Sequence, residues 1–175
     1  KAPKFCTKNI GQSSPWPCDN NTFTVTITPT TNLYGNVTTI TLSGFAGARG
    51  TTGPLLLTDG SNGQRHDLLF ASGLLSAGGQ VGSGYWDDRD DKKELVLQVF
   101  QDMECNIEYI FSFTLGNPRD GQDPPEISIE AKRLHPDREL TKIVKTAMNP
   151  DRETTPTGGV KGDAEALKIR DPQFT

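Results

Sequence analysis

Period-two patterning is the feature that most restricts what this chain can fold into. In FTVTIT, Phe23, Val25 and Ile27 alternate with Thr24, Thr26 and Thr28, which puts apolar side chains on one face of an extended segment and hydroxyls on the other. EYIFSFTL repeats the pattern with Tyr109, Phe111, Phe113 and Leu115, VTTITL with Ile40 and Leu42, and EISIEA with Ile127, Ile129 and Ala131. PLLLT, DLLFA and LVLQVF read as further strands, making seven short runs divided by Gly, Pro, Asn and Asp. That punctuation predicts an all-β chain, an antiparallel two-sheet β-sandwich of immunoglobulin-like architecture. No cysteine pair flanks a tryptophan at immunoglobulin spacing, so the expectation concerns architecture alone. Trp86, after GSGY, is expected to plug the core.

With 175 residues, 33% of them hydrophobic, the chain suits one core better than two. The strands place that core in residues 1–131. Beyond Ala131 the composition turns charged and proline-punctuated, and residues 132–167 read as a polar linker or arm, with Leu134, Leu140, Ile143, Val144 and Met148 available for docking on a neighbour. The last residues, KIRDPQFT, then repeat the phrasing of the first, KAPKFCT. Pro3 to Pro172 and Phe5 to Phe174 are both 169 positions, the mark of a tandem period in which 168–175 begins the next unit. Pro3, Phe5, Trp16, Pro172 and Phe174 are thereby the expected contacts between units.

Several function classes are disfavoured. A net charge of −4 and the lack of a basic stripe argue against nucleic acid as a partner. No apolar run approaches the ~18 residues of a membrane span. The glycine-rich GFAGARGTTG and SAGGQVGSG have neither a P-loop ending nor a dinucleotide frame, so no cofactor is expected and both read as turns or loops. His66 and His135 are the only histidines, and no serine sits in a nucleophile elbow, so the chain is read as non-catalytic. The His135-Pro136-Asp137 triplet of J-domain co-chaperones follows a strand here and lacks its two-helix setting. Asp87, Asp88, Asp90 and Asp91 are a weak Ca²⁺ candidate, since the run lacks the turn and terminal glutamate of an EF-hand loop and carries Arg89, Lys92 and Lys93; a solvated hairpin turn suits it better, and no metal is expected.

Three cysteines and two sequons point to an oxidising, extracellular or cell-surface setting. Cys18–Cys105 is the expected disulfide, with Cys6 as an alternative partner for Cys18. Asn36, in YGNVTT, is the better-exposed glycosylation sequon, with Asn20 second beside Cys18.

The succession GQSSPWPCDNNTFTVTITP, TTITLSGFAG and YIFSFTLGNPRDGQDPPEISIEA resembles modules repeated in very large secreted or surface proteins of algae and related flagellated protists, some associated with flagellar hairs. The likeness covers residues 9–131 and carries no functional residues with it. It implies a tandemly repeated extracellular structural module: a unit of a fibre or surface coat whose partners are neighbouring copies and attached glycans. The alternative is a carbohydrate-binding or Ca²⁺-dependent adhesion module using Tyr85, Trp86 and the acidic run.

Overall fold

The computed structural model describes residues 2–133, 142–156 and 158–171. In chain order the strands are β1 (Phe5–Gln12), β2 (Asn20–Pro29), β3 (Thr38–Ser43), β4 (Gly53–Leu56), β5 (Thr58–Asp59), β6 (Phe70–Ala71), β7 (Ser83–Asp87), β8 (Glu94–Val99), β9 (Tyr109–Gly116), β10 (Ser128–Arg133), β11 (Ile143–Ala147) and β12 (Asn149–Pro150). They build the expected two-sheet sandwich, one sheet ordered β12-β1-β2-β9-β5 and the other β11-β10-β3-β8-β7-β4, with β6 pairing to β8. Pairing is antiparallel except between β12 and β1, which run parallel.

The central ribbon is β2 against β9, in register from Asn20 opposite Gly116 to Ile27 opposite Tyr109. Period two then decides both faces. Outside, Thr22 and Thr24 join their hydroxyls to Thr114 and Ser112 at 2.9 Å each, cross-strand pairs that keep a solvent face ordered. Inside, Phe23 stacks on Phe113 at 5.6 Å, and Phe45 packs edge-on against Phe23, Phe113 and Trp86 at 5.8 Å. Each of these rings is buried, and each such burial is worth roughly 1.5–3 kcal/mol. Phe45 reaches this position because Gly44 turns the chain at φ 92°, where a Cβ would collide with the Glu126 carbonyl.

Both lateral sides are closed by a chain that changes sheets. PLLLT is not one strand: β4 belongs to the second sheet and β5 to the first, with buried Leu57 at the crossing. On the other side β11 extends the second sheet and β12 the first, and buried Met148 is the crossing residue. Such switches turn the corners of a sandwich, and the edges they leave are short or carry Pro54, Pro150 and Lys145, features that discourage edge-to-edge pairing. Ile143, Met148, Ala166 and Leu167 belong to the same hydrophobic core as the strands before residue 131.

Three local readings need correction. DLLFA is mostly a 3-10 turn over His66–Leu69, followed by the two residues of β6. β1 escapes the pattern because its register shifts between Phe5 and Thr7, which breaks the alternation. β7 lies where a loop was expected: its Gly84 is inside the strand because a Cβ there would stand 2.7 Å from Leu95 and Leu97.

Candidate functional site

The strand directions give the sandwich two poles. One gathers the start of β1, the end of β2 and the segment before β9: Thr30 N–H donates to the Lys4 carbonyl, Asn106 N–H donates to the Pro29 carbonyl, and Leu33 bridges to Met103. This is the N-terminal pole. The opposite pole gathers the end of β1, the start of β2 and the end of β9, where Cys18 N–H donates to the Pro118 carbonyl and Arg49 bridges to Gly116. The last described residues arrive here, as Ile169 pairs with Gln122 and Arg170 N–H donates to the Pro15 carbonyl. It is the C-terminal pole. Ten residues of β2 separate the two, about 30 Å at ~3.4 Å per residue.

A closed set of side-chain amides holds the C-terminal pole together. Asn21, fully buried, accepts the Ser13 and Ser14 N–H groups at 3.0 and 3.2 Å and donates to Gln12 Oε1 and Asn117 Oδ1 at 2.8 Å each. Gln12 Nε2 donates to the carbonyls of Asp163 and Lys168 at 2.8 and 2.9 Å, while its Oε1 also accepts Leu167 N–H at 2.7 Å. Asn117 Nδ2 donates to the carbonyls of Ser14 and Trp16. Every amide group in this set has partners, the condition under which a buried polar network rigidifies rather than weakens a core. Beside it the Asp163 carboxylate is buried: Oδ2 accepts Val160 N–H at 2.8 Å, and Oδ1 faces the Lys168 ammonium at 3.3 Å without hydrogen-bond alignment. The Arg170 guanidinium lies 5.4 Å from the half-buried Trp16 ring, an attraction between cation and ring quadrupole. Residues 163–171 are thus fixed to the body of the sandwich.

These amides escape the sequence reading, although two of them carry a signal. Asn21 continues the inward row of Phe23, Val25 and Ile27, and Asn117 continues that of Phe111, Phe113 and Leu115. A carboxamide at the end of an apolar row is the signal of a buried polar cap. Gln12 offers no comparable sign, because three of its four partners come from more than 150 residues away.

The disulfide expectation is overturned. Cys6, Cys18 and Cys105 are all exposed and unbonded. Cys18 stands at the C-terminal pole, whereas Cys105, whose N–H donates to Asn32, and Cys6, whose thiol donates to the Thr28 carbonyl, stand at the N-terminal pole. Neither pairing of Cys18 within one chain meets the ~7 Å Cα limit of a disulfide.

Among the expected inter-unit residues, Phe5 is buried in its own core and Pro3 is half-buried; Pro172 and Phe174 lie outside the described residues, as do Leu134, Leu140 and His135-Pro136-Asp137. Asn36 and Asn20 are both exposed, Asn36 with a left-handed backbone at φ 67°.

No protein-family profile matches the chain, and no curated protein does.

The acidic run is engaged internally. Asp87 takes a two-pronged contact from Arg89, with Nη2 to Oδ2 at 2.7 Å, and this hydrogen bond holds its carboxyl below the usual range. Burial alone would raise Asp88, but hydrogen bonds from Trp86 Nε1 at 2.9 Å and Lys93 Nζ at 3.0 Å outweigh it and keep the group low. Asp90 and Asp91 are exposed. Among the described residues no three His, Cys, Asp or Glu side chains converge to hold a metal ion. Trp86 is fully buried while Tyr85 remains 40% exposed, so a sugar platform pairing the two does not exist. His66 accepts Ile110 N–H on Nδ1 and meets Gln64 with Nε2, which fixes the proton on Nε2. No helix among the described residues is long and apolar enough to cross a membrane.

Proposed function

We propose that this chain is a non-catalytic structural repeat unit of an extracellular fibre or cell-surface coat, joined to neighbouring copies through its two ends. One observation carries the reading: β1 enters the sandwich at one pole, and residues 163–171 are fixed to the other. In a linear array, force that enters at one end of a unit must leave at the opposite end without unravelling it. The β1–β2–β9 ladder spans that distance, and the amides of Gln12, Asn21 and Asn117 tie the departing segment to it. The recurrence of Pro-x-Phe at a spacing of 169 and the resemblance of residues 9–131 to repeated surface modules support the same reading.

Glycans belong to this proposal as solubilising groups, with Asn36 the favoured site because it is exposed in a turn that leads into β3. The test is the sequence that follows Thr175 in the full-length gene product. Self-similarity at about 170 residues is the expected result; a following sequence with no second copy of the strand pattern would overturn the array.

A further inference from the structure

We infer that successive copies stack pole to pole along the strand axis and are locked by a disulfide between Cys18 of one copy and Cys105 of the next. The inference rests on the repeat-unit reading and adds the geometry and chemistry of its joint. Three observations on different parts of the molecule lead to it.

The first is chain path. The described segment is held on the C-terminal pole up to Arg170, through Pro15, and Ile169, through Gln122. Phe174, which stands where Phe5 stands in the opening motif, is only three residues beyond Asp171. Three residues reach at most about 10 Å. A following copy whose chain starts at its own N-terminal pole therefore has that pole set against the C-terminal pole of the copy before.

The second is alignment. Cys18 lies two residues before β2 and is hydrogen-bonded to Pro118, just past the end of β9. Cys105 lies four residues before β9 and is hydrogen-bonded to Asn32, three residues past the end of β2. The two thiols are thus at opposite ends of one and the same two-stranded ribbon. Translation of a copy along that ribbon brings Cys105 over Cys18, which no arrangement within one chain can do.

The third is exclusion of the sides. Strands that switch sheets at Leu57 and Met148 close both flanks, leaving the poles as the open ends. Cys6 shares the N-terminal pole, but the recurring motif reads Phe174-Thr175 where the opening one reads Phe5-Cys6-Thr7, so the cysteine common to a following copy is the one at position 105.

The bond forms by two exchanges with a low-molecular-weight disulfide such as glutathione disulfide. The Cys18 thiolate attacks the oxidant, expelling one glutathione thiolate and leaving a mixed disulfide. Cys105 of the next copy then attacks the Cys18 sulfur and expels the second. Two protein thiols are oxidised by two electrons, and one glutathione disulfide is reduced to two glutathione thiols, which take up the two protons that the protein thiols lose. A short tether holds such partners at an effective concentration in the millimolar range. Because the contact is heterologous, it generates open chains rather than closed dimers.

The experiment oxidises the purified chain at high concentration with glutathione disulfide and maps its cysteines under non-reducing conditions. The expected result is a ladder of oligomers in which the Cys18–Cys105 cross-peptide exceeds Cys18–Cys18 and Cys105–Cys105 by about tenfold, against about two to one for random pairing. Cys18→Ser and Cys105→Ser should each abolish the ladder, their mixture should yield a dimer and nothing larger, and Cys6→Ser should leave the ladder unchanged. All three thiols are exposed, so the variants are expected to fold, which circular dichroism checks. Random or homotypic pairing, or a monomer whose thiols carry only glutathione, would overturn the disulfide joint. The sequence beyond Thr175 tests the array independently, so failure of the joint leaves that reading intact and failure of the array is seen without reference to cysteine.

Discussion

Replacing Gln12 by alanine is the sharpest probe of how the departing segment is held. The side chain is buried and makes four hydrogen bonds, to the Asp163 and Lys168 carbonyls, to Leu167 N–H and to Asn21 Nδ2. Three of the four lie in fully buried surroundings. A buried polar group left without a partner costs about 1–3 kcal/mol, so three of them sum to roughly 3–9. Water entering the vacated space recovers part of that, and a loss of about 3–5 kcal/mol is expected, a large share of the ~5–15 kcal/mol typical of a whole domain. Urea denaturation measures the total. Hydrogen exchange at Leu167 measures the local part, because its amide loses its acceptor while residues 163–171 keep only backbone contacts to β1, from Gln12 N–H to the Ala164 carbonyl and from Gly11 to Glu165. Gln12→Glu preserves size but turns a carboxylate oxygen toward two carbonyls, and it should destabilise at least as much. A loss below about 1 kcal/mol for Gln12→Ala, with unchanged exchange at Leu167, would refute the claim that this amide is the tie.

Phe45→Ala should cost about 3–5 kcal/mol, read from the urea midpoint, because Phe45 contacts three other rings at the centre of the core; a loss typical of a surface site would mean that the cluster collapses around the gap. Gly44→Ala should destabilise by about 2 kcal/mol or more, since the residue adds a left-handed backbone cost to the collision with the Glu126 carbonyl; a neutral effect in the same assay would refute that geometry. Acid should act through Asp59, Asp67 and Asp87, whose pKa values are lowered first of all by side-chain hydrogen bonds from Ser61, Arg65 and Arg89. Groups lowered in the folded state stabilise it above the unfolded value of ~3.9 and lose that contribution as pH falls below it toward the folded one. The urea midpoint should therefore drop between about pH 5 and pH 2, and Asp67→Asn should flatten the drop. In native material, mass analysis should find more hexose-bearing adduct on the peptide containing Asn36 than on the one containing Asn20, which lies beside Cys18 at the start of β2.

The sequence by itself determined the strand ribbons. Alternation in FTVTIT and EYIFSFTL assigns each side chain of β2 and β9 to the core or to solvent, because the pleat reverses direction at every residue. That local rule is enough to specify a sandwich, and it also marks Asn21 and Asn117 as polar ends of apolar rows. It fails where the period is interrupted, at the shifted register of β1 and at Gly84 of β7, and where one extended run serves two sheets, as at Leu57 and Met148.

Only the tertiary structure decided what meets what. Cys18 and Cys105 read as partners because each sits beside a strand end, and spacing along the chain does not say which end. Antiparallel pairing of β2 with β9 sends the two to opposite poles. The same long-range pairing delivers Gln12 to Asp163, Leu167 and Lys168. Contacts across more than 150 residues arise from how sheets close on one another, and no local propensity encodes them.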